Sequence, residues 1–108
     1  MKPFRNMISV ILMFSGVLIS SVPVIAQPLT VAFRDHEAKS VSIYGSFDNW
    51  QKKHTLVRGR TGLWDIKLDV PKGRVEYIFL IDGKWQINPL ISSVADGFGG
   101  RNNVIIVR

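Results

Sequence analysis

Val41-Ser42-Ile43-Tyr44-Gly45-Ser46-Phe47-Asp48-Asn49-Trp50 decides how the rest of the chain is read. Val41 and Ile43 fall on one side of an alternating run, Ser42 and Tyr44 on the other, which predicts a strand. Gly45-Ser46 breaks the alternation. Asp48-Asn49 is a turn pair, because short side-chain oxygens bond nearby backbone groups. Trp50 stands directly after that turn, beside Gln51, Lys52 and Lys53. An indole in such company has two readings. It is either a flat aromatic presented by a rigid sheet for binding, or a cap folded back on the core.

Outward from this stretch the pattern is all β. Leu29 to Phe33 alternates, and Arg34 to Lys39 is a polar connection. Thr55 to Arg58 reads as one short strand, closed by the turn Gly59 to Gly62. Trp64, Ile66, Leu68 and Val70 alternate with Asp65, Lys67 and Asp69, so their face is expected in the core with Tyr77 and Phe79. Pro71-Lys72-Gly73 turns the chain into Val75 to Ile81. Asp82-Gly83 is the favoured pair for a tight hairpin, whose two central residues need positive φ. Lys84 to Ile87 is the returning strand. Leu90 to Gly100 lacks a period and reads as a flexible loop, and Asn103 to Val107 is the last strand. No segment has a helical period. Seven short strands separated by turn signals predict an all-β, immunoglobulin-like antiparallel β-sandwich.

Ahead of this domain, residues 1–26 have the form of a secretory signal peptide. Lys2 and Arg5 precede an apolar run from Met7 to Ile19, Pro23 follows, and Val24-Ile25-Ala26 offers a cleavage site. The expected domain is then residues 27–108, exported to a periplasmic or extracellular location. An uncleaved segment would instead anchor it to a membrane. The 108 residues carry no cysteine, which excludes disulfides and thiol nucleophiles. Of 14 Lys and Arg residues, 12 remain without Lys2 and Arg5, against 8 Asp and Glu, a net +4. They are scattered rather than gathered on one element, which argues against nucleic acid as a partner.

Catalytic chemistry finds no constellation. His36 and His54 stand in polar surroundings without a further ligand at metal spacing, and both are expected at the surface. No serine has a nucleophile elbow. The aspartates are spread over turns and strand exteriors, whereas a glycosidase needs two carboxylates facing across a cleft. The glycines at Gly97, Gly99 and Gly100 lead into no helix and form no phosphate loop. Neither a metal nor a cofactor is implied.

Aromatic and amide chemistry remains. Trp50 follows one turn, Trp85 follows the Asp82-Gly83 hairpin, and Asn102-Asn103 precede the last strand. Indoles stack on the C–H face of a sugar ring, while amides take its hydroxyl edge. At these residues the chain resembles the family 48 carbohydrate-binding modules. That family includes the glycogen-binding domain of the AMP-activated protein kinase β subunit and the N-terminal domains of isoamylases and glycogen-branching enzymes. The resemblance runs from Leu29 to Val107. It is carried by Gly45-Ser46-Phe47-Asp48-Asn49-Trp50, Gly62-Leu63-Trp64, the run from Pro71 to Trp85, Asn88-Pro89 and Asn102-Asn103-Val104-Ile105.

The resemblance implies an early-set sandwich that binds α-1,4-linked glucan without catalysis. Trp50 and Trp85 match its stacking tryptophans and Asn102 its sugar-bonding asparagine. Phe98 falls where the kinase-type domain has a leucine over the ligand. Ile78 departs from the pattern, since the kinase-type motif has a sugar-bonding lysine there; Lys84 or Lys52 are candidates to replace it. Asn88 stands where Asp is common before Pro89. The expected partner is an α-glucan polysaccharide or oligosaccharide, with room for a partner enzyme. The alternative is an exported protein-interaction module of the same fold.

Overall fold

The computed structural model describes residues 26–108. The expected leader lies outside these residues, except for Ala26, which heads the first strand. Nine strands follow in order: β1 (Ala26–Arg34), β2 (Val41–Gly45), β3 (His54–Thr55), β4 (Val57–Arg58), β5 (Leu63–Pro71), β6 (Gly73–Ile81), β7 (Lys84–Gln86), β8 (Ser93–Ala95) and β9 (Arg101–Val107). A 3-10 turn, Ser46–Asp48, follows β2. One sheet has the order β1-β5-β4. The other runs β3-β2-β6-β9-β8, with β7 also on β6. Every pairing is antiparallel.

The two sheets pack face to face as a β-sandwich. Phe33 of β1 meets Phe79 of β6 with ring centroids 5.0 Å apart, and Tyr77 lies edge-on to Phe79 at 5.7 Å. Val41, Ile43, Trp64, Val70, Val75 and Ile81 complete most of the buried cluster. The expected core face of β5 holds, with a gradation. Trp64 and Val70 are buried, whereas Ile66 and Leu68 are half-buried against the same cluster. Trp64 also donates its indole N–H to the Asp35 carbonyl at 3.1 Å, which satisfies its polar edge.

Two expectations are corrected. The strand expected over Thr55 to Arg58 is two strands in different sheets, β3 on β2 and β4 on β5. Buried Leu56 lies between them and donates its N–H to Val41 O at 2.9 Å, so the chain changes sheets there. The loop expected from Leu90 to Gly100 contains β8, which pairs with the start of β9. Asp96 closes the remaining hairpin loop: its Oδ1 accepts the N–H groups of Phe98 and Gly100 at 2.7 and 3.0 Å.

Asn103 holds the segment before β8 in place. It is fully buried. Its Oδ1 accepts the Asn88 N–H at 2.7 Å, and its Nδ2 faces the carbonyls of Asn88, Ile91 and Ser92 at 2.9–3.3 Å. The Asp82-Gly83 hairpin forms as expected, with φ of 49° and 83°. Asp82 Oδ1 additionally accepts from the backbones of Lys39 and Ser40 at 2.9 and 2.8 Å.

Candidate functional site

The central strand β6 turns Val75, Tyr77, Phe79 and Ile81 into the core. Arg74, Glu76, Ile78 and Leu80 therefore line its outer face. On one flank β2 places Tyr44 opposite Ile78. On the other, β9 covers the first half of β6 and β7 covers the second. That division brings two of the expected residues to the same flank. Trp85 stands opposite Leu80, and Asn102 immediately precedes Asn103, the partner of Tyr77.

Trp85 is 57% exposed. Its ring meets Tyr44 edge-on at 5.4 Å, across the strand that carries Ile78 and Leu80. Asn102 is half-buried, and its Nδ2 donates to Glu76 Oε1 at 3.2 Å. The outer face thus grades from an aromatic–aliphatic patch of Tyr44, Ile78, Leu80 and Trp85 into a polar end of Glu76 and Asn102. Ile78 occupies its middle. Lys84 pairs with buried Ile81, one step from Trp85, so the two side chains alternate to opposite faces of β7. Phe98 is 83% exposed at the tip of the β8–β9 hairpin, beyond the Ala95–Arg101 pair.

Trp50 is half-buried and follows the 3-10 turn at the end of β2. Its N–H donates to Gly45 O at 2.9 Å, and Gly45 pairs with Tyr77. Tyr77 and Leu80 are three residues apart on β6. The backbone anchors of Trp50 and Trp85 thus differ by roughly 10 Å along the strand. Asn49 and Trp50 both have positive φ, 59° and 64°. Asparagine tolerates this region, but a bulky tryptophan does so only when its surroundings fix it, and such strain gathers at functional positions. Here the surroundings are polar. Asp48 Oδ1 accepts the Gln51 N–H at 3.3 Å, and Asp48 Oδ2 lies 2.9 Å from His54 Nε2. His54 also packs edge-on against Phe47 at 5.2 Å.

His54 is therefore not the surface histidine expected. It is half-buried and ties the end of the tryptophan loop to its start. His36 is exposed, as expected. Sequence reasoning also missed Tyr44 and Glu76, the first as support for Trp85 and the second as partner of Asn102. Among the described residues no group of three acidic or histidine side chains forms a metal site, and no helix is long and apolar enough to cross a membrane. The shallow groove along Leu90, Ile91, Val104 and Ile106 lies toward the far end of β9 and includes none of the five expected residues. The outer face is a platform rather than a cleft.

An all-β sandwich with an aromatic and amide platform on its larger sheet is the class these features define. Residues 27–108 match the profile of the family described as the glycogen recognition site of AMP-activated protein kinase, and the chain belongs to that family. It is 32% identical over 72 residues to Protein PTST homolog 2, chloroplastic, of Arabidopsis thaliana, covering 67% of this chain and 13% of that protein. It is 35% identical over 83 residues to the human 5'-AMP-activated protein kinase subunit beta-2, covering 77% of this chain and 30% of that subunit. The chain thus spans less than a third of each of these two relatives. Among solved structures, pullulanase from Bacillus acidopullulyticus shares the fold, with a TM-score of 0.58 at 14% identity over 87% of this chain and 12% of the enzyme.

Proposed function

We propose that this chain is an exported, non-catalytic module that binds α-1,4-linked glucan: glycogen, starch or maltooligosaccharide. The observation that carries this reading is the outer face of β6, where an exposed indole braced by Tyr44 lies on the same flank as an amide. Membership of a glycogen-recognition family supports it, as does the strained backbone that carries Trp50. Trp50 and Trp85 would stack on successive regions of a glucan, Asn102 would bond hydroxyls, and Phe98 would close over the chain from the hairpin tip. The immunoglobulin-like, early-set description of the sandwich belongs to the same proposal, as does a leader over residues 1–26 that leaves Gln27 as the start of the mature chain. The kinase-subunit relatives support a partner enzyme.

Retention on glycogen in a native affinity gel tests the reading. The mature domain should be slowed in proportion to the glycogen in the gel. Unchanged mobility would remove the glucan assignment. A second reading, a protein-interaction module of the same fold, is favoured by Ile78: an aliphatic side chain at the centre of the platform donates no hydrogen bond to a sugar. Intact-mass measurement of the exported protein tests the leader; a chain that still begins at Met1 would contradict it.

A further inference from the structure

Glu76 is held at both ends. Its backbone N–H donates to Ser46 Oγ at 3.0 Å, and its Oε2 accepts from Nε and Nη2 of Arg74, both at 3.2 Å. Oε1 is then the oxygen that Asn102 Nδ2 reaches, at 3.2 Å. A carboxylate only accepts hydrogen bonds, whereas an asparagine amide has a donating and an accepting end. The amide nitrogen of Asn102 must therefore face Glu76, and its Oδ1 is turned away from the carboxylate.

From this geometry we infer that Glu76 is a positioning residue of the platform: it sets the polarity with which Asn102 meets a ligand. Asn102 turns its accepting oxygen away from Glu76 and keeps one further amide N–H, so its oxygen end takes a hydroxyl that donates. Arg74 contributes by occupying Oε2 and fixing the carboxylate. The inference rests on the glucan reading for the identity of the ligand. Glu76→Gln is nearly isosteric but has both a donor and an acceptor end, so the Gln–Asn pair adopts either orientation and the polarity is no longer set.

Calorimetric titration of maltoheptaose into wild type, Glu76→Gln, Asn102→Ala and the double variant tests this. Glu76→Gln should weaken binding about three- to tenfold, the size of one misplaced hydrogen bond, with an unchanged melting temperature. In the Asn102→Ala background it should have no further effect, because its action passes through that amide. Wild-type affinity for Glu76→Gln, or an equal loss in both backgrounds, would overturn the inference while leaving the glucan reading intact. No saturable binding by wild type would instead remove the glucan reading and this role with it.

Discussion

Trp85 and Tyr44 meet edge to face across β6, with ring centroids 5.4 Å apart and planes inclined at 61°. They come from strands on opposite flanks of β6, opposite Ile78 and Leu80, so the contact spans the outer face of that strand. An exposed indole on a three-residue strand would otherwise sample several rotamers. Aromatic pairs of this geometry contribute about 0.5–1.5 kcal/mol beyond area burial. Tyr44→Ala should therefore weaken maltoheptaose binding by roughly twofold to tenfold. Tyr44→Phe should bind like wild type, since the ring makes the contact. Fluorescence titration of both variants checks this, and equal affinity for Tyr44→Ala would show that Trp85 needs no brace.

Asn103 makes a second, structural prediction. Its amide is the shared partner of Asn88, Ile91 and Ser92 in a segment with little apolar cover, where Leu90 is 89% exposed. Asn103→Ala leaves the Asn88 N–H and several carbonyls without that partner. Each buried group left unsatisfied costs about 1–3 kcal/mol. Urea melts should show a loss of at least that size. Amide exchange should be faster at Ile91 and at Val104, whose N–H donates to Ser92 O. Unchanged exchange would mean that β8 keeps the segment in place unaided.

Asp82 predicts a dependence on acid. The backbone N–H of Ser40, then that of Lys39, holds its carboxyl below the usual carboxylate range. A depressed folded-state value means that its stabilisation is fully present above the unfolded value, about 3.9, and is lost as pH falls through the lower folded value. Melting temperatures of wild type and Asp82→Asn should differ most near neutrality and converge in strong acid. A gap that is constant with pH would contradict this. Asn tolerates the positive φ of 49°, so the hairpin itself should survive.

Local signals told the truth where the structure is local. Trp64, Ile66, Leu68 and Val70 face the core because strand alternation is a property of neighbouring residues, and Asp82-Gly83 turns because of its own backbone preferences. The split at Leu56 was not legible: Thr55 and Val57 look alike in sequence, and only the strands available on each side, β2 and β5, decide which sheet takes them. β8 was hidden for a similar reason, since buried Asn103 and the Asp96 loop organise it rather than an apolar period. His54 looked like surface because its partner, Asp48, lies across the tryptophan loop. At the site, the turn chemistry and hairpin position of Trp50 and Trp85 were readable. Glu76 was not, because its link to Asn102 joins residues 26 apart on adjacent strands.

The proposed sugar platform on the outer face of β6 has Trp50 and Trp85 as its stacking surfaces. The most direct test is tryptophan fluorescence during titration with maltoheptaose, on wild type, Trp50→Ala and Trp85→Ala. Buried Trp64 supplies a constant background. Wild type should show a saturable change and each variant at least several-fold weaker binding, with Trp85→Ala folding normally because its indole is largely exposed. Wild-type fluorescence that does not respond at millimolar sugar, or variants that bind as tightly as wild type, would contradict it.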